Sequence, residues 1–288
     1  MSIEDRLIAG IDNNRNREQL SLLMKRAHEK ACEVLSDPDY VINEADFEGV
    51  YGTENVQRDV EEAERLARIF EVRQTESERT TKKISEVLEA IIIMNAEMNE
   101  WLGEADTLKT ARYDDFKNKT DMLVEWHSPE DGSRILALAV DITFGTSSVD
   151  KKMMSIKSEI DTGTLGTIRY FKDARDEFIG TRNNVPRVII GVSKEMIEDL
   201  AALWLRKDNK ALAVHPIQRL LIEEIKIQLE AMLLYAQSKG ARNVENAYAQ
   251  ALALIKPLAA KKIGIRLGDA ATDPVAQSIS STARRVFT

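Results

Sequence analysis

The chain reads as an α/β protein: a small mixed β-sheet flanked by helices on both faces, with a helical extension on its N-terminal side. Three observations predict this. Two β-rich apolar runs, 121–126 and 134–144, are joined by Ser128, Pro129, Glu130, Asp131, Gly132 and Ser133, residue types that turn a chain between paired strands. The run from Val185 to Val192 is apolar almost throughout, which suits an interior strand covered on both faces. Most of the remaining chain carries apolar residues at helical spacing.

Taken in order, residues 3–35 form a helix with Leu7, Ile8, Leu20, Leu22, Leu23, Ala27, Ala31 and Leu35 apolar, with a break near Asp12 to Arg15. Residues 36–52 lack periodicity, and Asp37, Pro38 and Asp39 mark a turn. Residues 54–72 are a charged helix with Val56, Val60, Ala63, Leu66 and Ile69 on one stripe. Thr75 and Glu78 make a capping box that opens the next helix, to about Leu102. One face of that helix carries Ile84, Val87, Ile91, Met94, Met98 and Trp101. Glu97 sits about 60° from Met94, at the edge of this face, within reach of a site on the adjoining sheet.

Beyond the hairpin, Gly145 to Ser148 supply a turn and an N-cap for a helix over 149–160. Its packing stripe is Val149, Met153, Ile156 and Ile160. Lys152 and Lys157 flank the stripe at about 70° on either side, and Lys151 points away. Residues 168–172 are a short strand. Ser193 caps a helix to about Arg206, Pro216 opens another that ends near Gly240, and a last helix covers 243–261. The tail from Gly268, rich in Ala, Ser and Thr, is expected to be mobile. These elements divide the chain into a helical extension (1–80), a core (81–240) and a C-terminal helix and tail (241–288).

The 288 residues are 43% hydrophobic and 31% charged, with a net charge of −8. That charge argues against a surface coated for nonspecific nucleic-acid binding, yet Lys109, Arg112, Lys117, Lys119, Lys151, Lys152, Lys157, Arg169, Lys172 and Arg175 can form a local basic lip among interspersed acids. A single cysteine, Cys32, excludes an internal disulfide framework and fits a reducing compartment. Neither a secretory leader nor a membrane span is expected, which places the chain in the cytoplasm. The long amphipathic helices offer a surface for homo-oligomerisation.

The chemistry concentrates in the hairpin. A turn centred on Asp131 sets Asp121 directly opposite Asp141, with Cβ atoms roughly 5 Å apart on one face. Two carboxylates that close repel unless a cation or a proton sits between them. A one-residue slip would separate them. No phosphate-cradling glycine loop, dinucleotide fingerprint, nucleophile elbow or zinc-type Cys/His spacing competes with this pair. Clustered carboxylate oxygens suit a hard cation such as Mg²⁺ or Mn²⁺. That chemistry serves in-line displacement at phosphorus, with a nearby lysine neutralising developing charge.

A helix, a hairpin with two acids, a helix and an apolar strand, over about residues 83–206, resemble the PD-(D/E)XK nuclease superfamily. Asp121, within Lys119 to Glu125, matches the first acidic position, and Asp141, within Ala139 to Thr143, matches the second. The resemblance implies a restriction-endonuclease-like core and a Mg²⁺- or Mn²⁺-dependent nuclease, with DNA as the expected substrate. Asp121 and Asp141 would hold metal, with Glu97, on the first core helix, and Asp115 as further ligands. Thr143 stands where the family has its lysine. Lys152 would supply that lysine from the following helix, and Thr143 would bond a ligand or a phosphate oxygen. Lys119, Lys151 and Lys157 are the expected nucleic-acid contacts. Without Lys152 at the site, the resemblance implies a nuclease fold that serves as an inactive structural or interaction module.

Overall fold

A computed structural model describes residues 21–127, 135–173 and 178–288. The hairpin turn around Asp131, residues 3–20 of the expected first helix, and Arg175 lie outside the described residues. The architecture is mixed α/β, a small mixed four-stranded sheet flanked by helices.

Helix α1 (Leu22–Val34) buries Met24, Ala27 and Ala31. A 3-10 turn over Glu44–Phe47 and the short α2 (Glu48–Tyr51) lead into α3 (Thr53–Arg73). Helix α4 (Glu76–Asn99) opens on the expected capping box, with Thr75 and Glu78 bonding each other's backbone N–H. It runs under the sheet, so its middle, from Val87 to Ile93, is buried on every side.

Strands β1 (Ala105–Lys109), β2 (Met122–His127) and β3 (Ile135–Thr143) form an antiparallel meander, interrupted between β1 and β2 by a π-helical turn at Asp114–Asn118. Helix α5 (Val149–Thr162) follows, then a separate two-stranded ladder of β4 (Gly166–Lys172) and β5 (Ile179–Val185). Strand β6 (Arg187–Gly191) returns to the main sheet parallel to β3, giving the order β1–β2–β3–β6. The sequence pattern does not predict β1 or β5, whose mixed polar and apolar residues lack a clean alternation.

The sheet has two unlike faces. Met122, Val124, Leu138, Val140 and Ile142 belong to the main core, which runs from Met24 to Phe287. Leu123 and Ala139, on the opposite face, belong to a smaller core with Phe47, Ile168, Phe171 and Val185, under the β4–β5 ladder. Gly191 fixes how closely β6 lies to β3: a Cβ there would fall 1.9 Å from the Thr143 carbonyl oxygen.

Four helices follow β6: α6 (Lys194–Leu205), α7 (Asn209–Ala213), α8 (Ile217–Lys239) and α9 (Arg242–Lys262). Helix α8 closes the outer edge of β6 with side chains. Gln228 accepts from Ile189 N–H (2.9 Å) and donates to its carbonyl (2.6 Å), and Glu224 accepts from Gly191 N–H (3.0 Å). An edge covered in this way cannot recruit another strand. No helix among the described residues is long and apolar enough to cross a membrane.

The tail departs from expectation. A 3-10 turn at Gly268–Thr272 leads into α10 (Pro274–Val286), which packs on α8, α5 and β6 and buries Val275, Ala276, Ile279 and Ala283. The small residues that read as a mobile segment are what let this helix lie close to its neighbours. Asp273 ties its start to the core, accepting Val275 and Ala276 N–H at the helix end and Ser193 N–H from the loop after β6. Ile279→Ala should therefore lower the unfolding free energy by about 2–5 kcal/mol, read from the denaturant midpoint. A tail independent of the core would leave the midpoint unchanged.

Candidate metal centre

Strand β2 begins with Met122 paired to Val140. This register brings Asp121 to the level of Asp141 where the ladder ends, as a turn centred on Asp131 requires. Asp121 is held from the backbone: its N–H donates to Val140 O (3.0 Å), and its Oδ2 accepts Ile142 N–H (2.6 Å). Asp141 is 9% exposed. Burial, then the facing Asp121 charge, pushes its carboxyl up to about 7, although Lys152 and Arg187 pull the other way.

Lys152 reaches this pair from the first turn of α5. Its Nζ donates to Asp141 Oδ1 (2.5 Å) and to Ile142 O (2.9 Å). A lysine there opposes the helix dipole, but its flexible stem carries the ammonium off the helix and onto two sheet oxygens. Asp121, Asp141 and Lys152 line a cleft of about 510 Å³ together with Lys119, Lys151 and Asp115. Ala67 and Phe70 of α3 also line it.

The two aspartates of the π-helical turn divide their work. Asp114 is buried and anchors the turn, accepting Arg169 N–H (2.8 Å) and Tyr170 N–H (2.9 Å) from β4. Asp115 faces the cleft, 4.0 Å from Lys109. Desolvation raises its carboxyl to about 6, with Asp121 adding to the rise. Behind it, buried Glu89 of α4 accepts from Lys109 Nζ at 2.6 Å. Burial lifts the Glu89 carboxyl to about 8 against the pull of Lys109, and Asp121 again contributes. On Lys109, burial is outweighed by Glu89 and Asp115, which hold its ammonium above the ordinary range. The four carboxylates and two lysines thus form one electrostatically connected row.

Three expected members stand elsewhere. Glu97 is exposed, beside Tyr40, in a hollow shared with Asp46 and Asp106. Two helical turns separate it from Glu89, the α4 carboxylate that does approach the aspartates. Thr143 is buried, with its hydroxyl donating to Gly145 O (3.2 Å) and meeting Ser148 Oγ (3.2 Å), so it orders the turn into α5. Lys157 points to the C-terminal helix, with Nζ donating to Val286 O (2.9 Å) and lying over the Tyr235 ring.

Glu89 and Arg187 escape the sequence reading, in which Lys109 enters only as part of a basic lip, although both carry a signal. Glu89 is a lone charge within Val87–Ile93, and Arg187 opens an otherwise apolar strand, where an ionised group has to find a partner. Arg187 donates to Glu159 Oε1 (2.5 Å) and Ser155 Oγ (3.1 Å) at the base of the cleft.

The donor set fits Mg²⁺ or Mn²⁺. Such an ion takes one or two carboxylates and keeps several waters, and Asp121 and Asp141 supply two. Among the described residues, no three His, Cys, Asp or Glu side chains gather into a metal-holding group. Lys152 Nζ already rests on a carboxylate and a carbonyl oxygen, a position suited to a cation.

The raised carboxyl has a consequence for stability. An unfolded aspartate titrates at about 4, whereas folded Asp141 titrates at about 7. Between those values the folded chain holds a proton that the unfolded chain has released, so stability falls as pH rises through that window. Asp141→Asn in a chelating buffer should raise the melting temperature above wild type at pH 8, with the gap narrowing as pH falls and closing only below about pH 4. A variant less stable than wild type at pH 8 would contradict this.

Compared with models of protein families, with curated proteins and with solved structures, the chain has no match, so the case for its function rests on this cleft.

Proposed function

We propose that the chain is a Mg²⁺- or Mn²⁺-dependent phosphodiester hydrolase acting on nucleic acid, with DNA as the substrate, built on a restriction-endonuclease-like core. The observation that carries this reading is the convergence of Asp121, Asp141 and the Lys152 ammonium at one cleft from three separate places in the chain. Two carboxylates and a lysine, with room beside them for a ligand, are a combination suited to phosphoryl chemistry.

Asp121 and Asp141 would hold the ion. When bound, it supplies charge neutralisation at phosphate and lowers the pKa of an attacking water. Asp121 is positioned for this by the Ile142 N–H, which fixes one of its oxygens before any ligand arrives. Lys152 needs only a short swing from Asp141 Oδ1 to face the phosphoryl oxygens. Its ammonium would then stabilise the negative charge that builds during in-line displacement. Lys119 and Lys151 lie exposed along the cleft and would contact the flanking phosphates.

A second reading is favoured by one observation. The Lys152–Asp141 pair balances charge without any ion, as a permanent counter-ion in an inactive interaction module would. Cleavage of labelled single- and double-stranded DNA with Mg²⁺ or Mn²⁺ separates the two. Asp141→Ala should abolish cleavage, and Lys152→Ala should slow it about 10²–10³-fold. Equal activity in wild type and Asp141→Ala would exclude the hydrolase assignment. Absence of cleavage by every protein would favour the module.

A further inference from the structure

The cleft that holds the aspartates is also lined by aromatic rings. Phe70 of α3 and Phe116 of the π-helical turn both line it, with ring centroids 5.9 Å apart and planes inclined by 32°. Contact between the rings fastens α3 to the turn, but it leaves Phe70 51% exposed. The guanidinium of exposed Arg112 lies 5.8 Å from the Phe116 ring centre.

The cleft also continues past these rings. A second hollow of about 400 Å³ shares Lys82, Asp115 and Phe116 with it and adds Arg112 and Lys109. Exposed Lys151 and Lys119 line the first hollow with the aspartates, exposed Arg112 lines the second, and exposed Lys82 stands where the two join, with Asp115 and Phe116. Acidic groups are present too, Glu71 in the first hollow and Glu44 and Glu86 in the second. The groove therefore has basic points spaced along it rather than a basic floor. That spacing suits an elongated polyanion held at intervals. A stacked duplex hides its base faces, and an exposed ring beside a phosphate path can be used only by bases that are unstacked.

We infer that the groove takes single-stranded nucleic acid, with Phe70 and Phe116 as a base-stacking platform beside the carboxylates and with Lys82 and Arg112 holding the strand where it passes into the second hollow. This rests on nucleic acid being the ligand of the cleft and adds its strandedness and the residues that determine it. Phe70 and Phe116 are specificity-determining rather than catalytic: they hold the base while the carboxylate side of the cleft holds the backbone.

Fluorescence anisotropy with a labelled oligothymidylate and a duplex of equal length, both in Ca²⁺, reads binding separately from hydrolysis. Wild type should bind the single strand more tightly than the duplex. Phe70→Ala and Phe116→Ala should each weaken single-strand binding about 5- to 150-fold and leave duplex binding nearly unchanged. Phe70→Trp, which keeps a ring at the most exposed position, should retain wild-type affinity and shows that the loss in Phe70→Ala is not a folding defect. Unchanged single-strand affinity in both alanine variants, or tighter binding of duplex by wild type, would overturn the inference. Duplex cleavage with unaffected phenylalanine variants would sink this inference alone. Phenylalanine-dependent single-strand binding without cleavage by wild type would sink the hydrolase reading alone.

Discussion

Repulsion between Asp121 and Asp141 is the constraint around which the rest of the cleft is organised. The β2–β3 register places the two carboxylates at one level at the end of a ladder, and burial of Asp141 removes the water that would screen them. Two charges in such a place persist only if something opposes the repulsion. Three features do so. The Ile142 N–H fixes an Asp121 oxygen, the Lys152 ammonium sits on Asp141, and the Asp141 carboxyl retains a proton up to near neutral pH.

Each of these depends on packing farther away. Lys152 arrives because the chain turns tightly after Thr143, whose hydroxyl bonds Gly145 and Ser148. The end of β3 is held by β6, and β6 lies close enough because residue 191 has no side chain. Helix α8 then seals the other edge of β6 through Gln228 and Glu224, and α10 braces the loop after β6 through Asp273. A chain of strand pairing and side-chain-to-backbone hydrogen bonds therefore runs from the C-terminal helix to the carboxylate pair. On the opposite side, Asp114 pins the π-helical turn to β4, and this presents Asp115 and Phe116 to the cleft.

How much of this could be read from sequence follows from which forces are local. The register was legible because the turn residues and the two apolar runs fix each other within about twenty residues. The reach of Lys152 was legible because a first-turn lysine, disfavoured by the dipole, stands directly after the Asp141 strand. Helix boundaries followed from the Thr75–Glu78 box and the Ser193 cap. What depended on distant partners was not legible. Glu97 and Glu89 lie on one helix, and only the docking angle of α4 on the sheet selects Glu89. Lys157 has the spacing of a groove lysine, yet α10 offers it a carbonyl and Tyr235 a ring. The tail looked unstructured because small side chains carry a weak apolar signal while packing closely. Strand β1 is legible only through its partner β2.

On the proposed function, Asp121 and Asp141 form a cation site in which Lys152 occupies the cation's place until an ion binds. Calorimetric titration of the full chain with Mn²⁺ tests it most directly. Binding should be saturable in wild type, lost in Asp121→Asn and in Asp141→Asn, unchanged in Glu97→Gln, and as tight or tighter in Lys152→Ala. Binding that survives both aspartate substitutions, or disappears with Glu97→Gln, would contradict it.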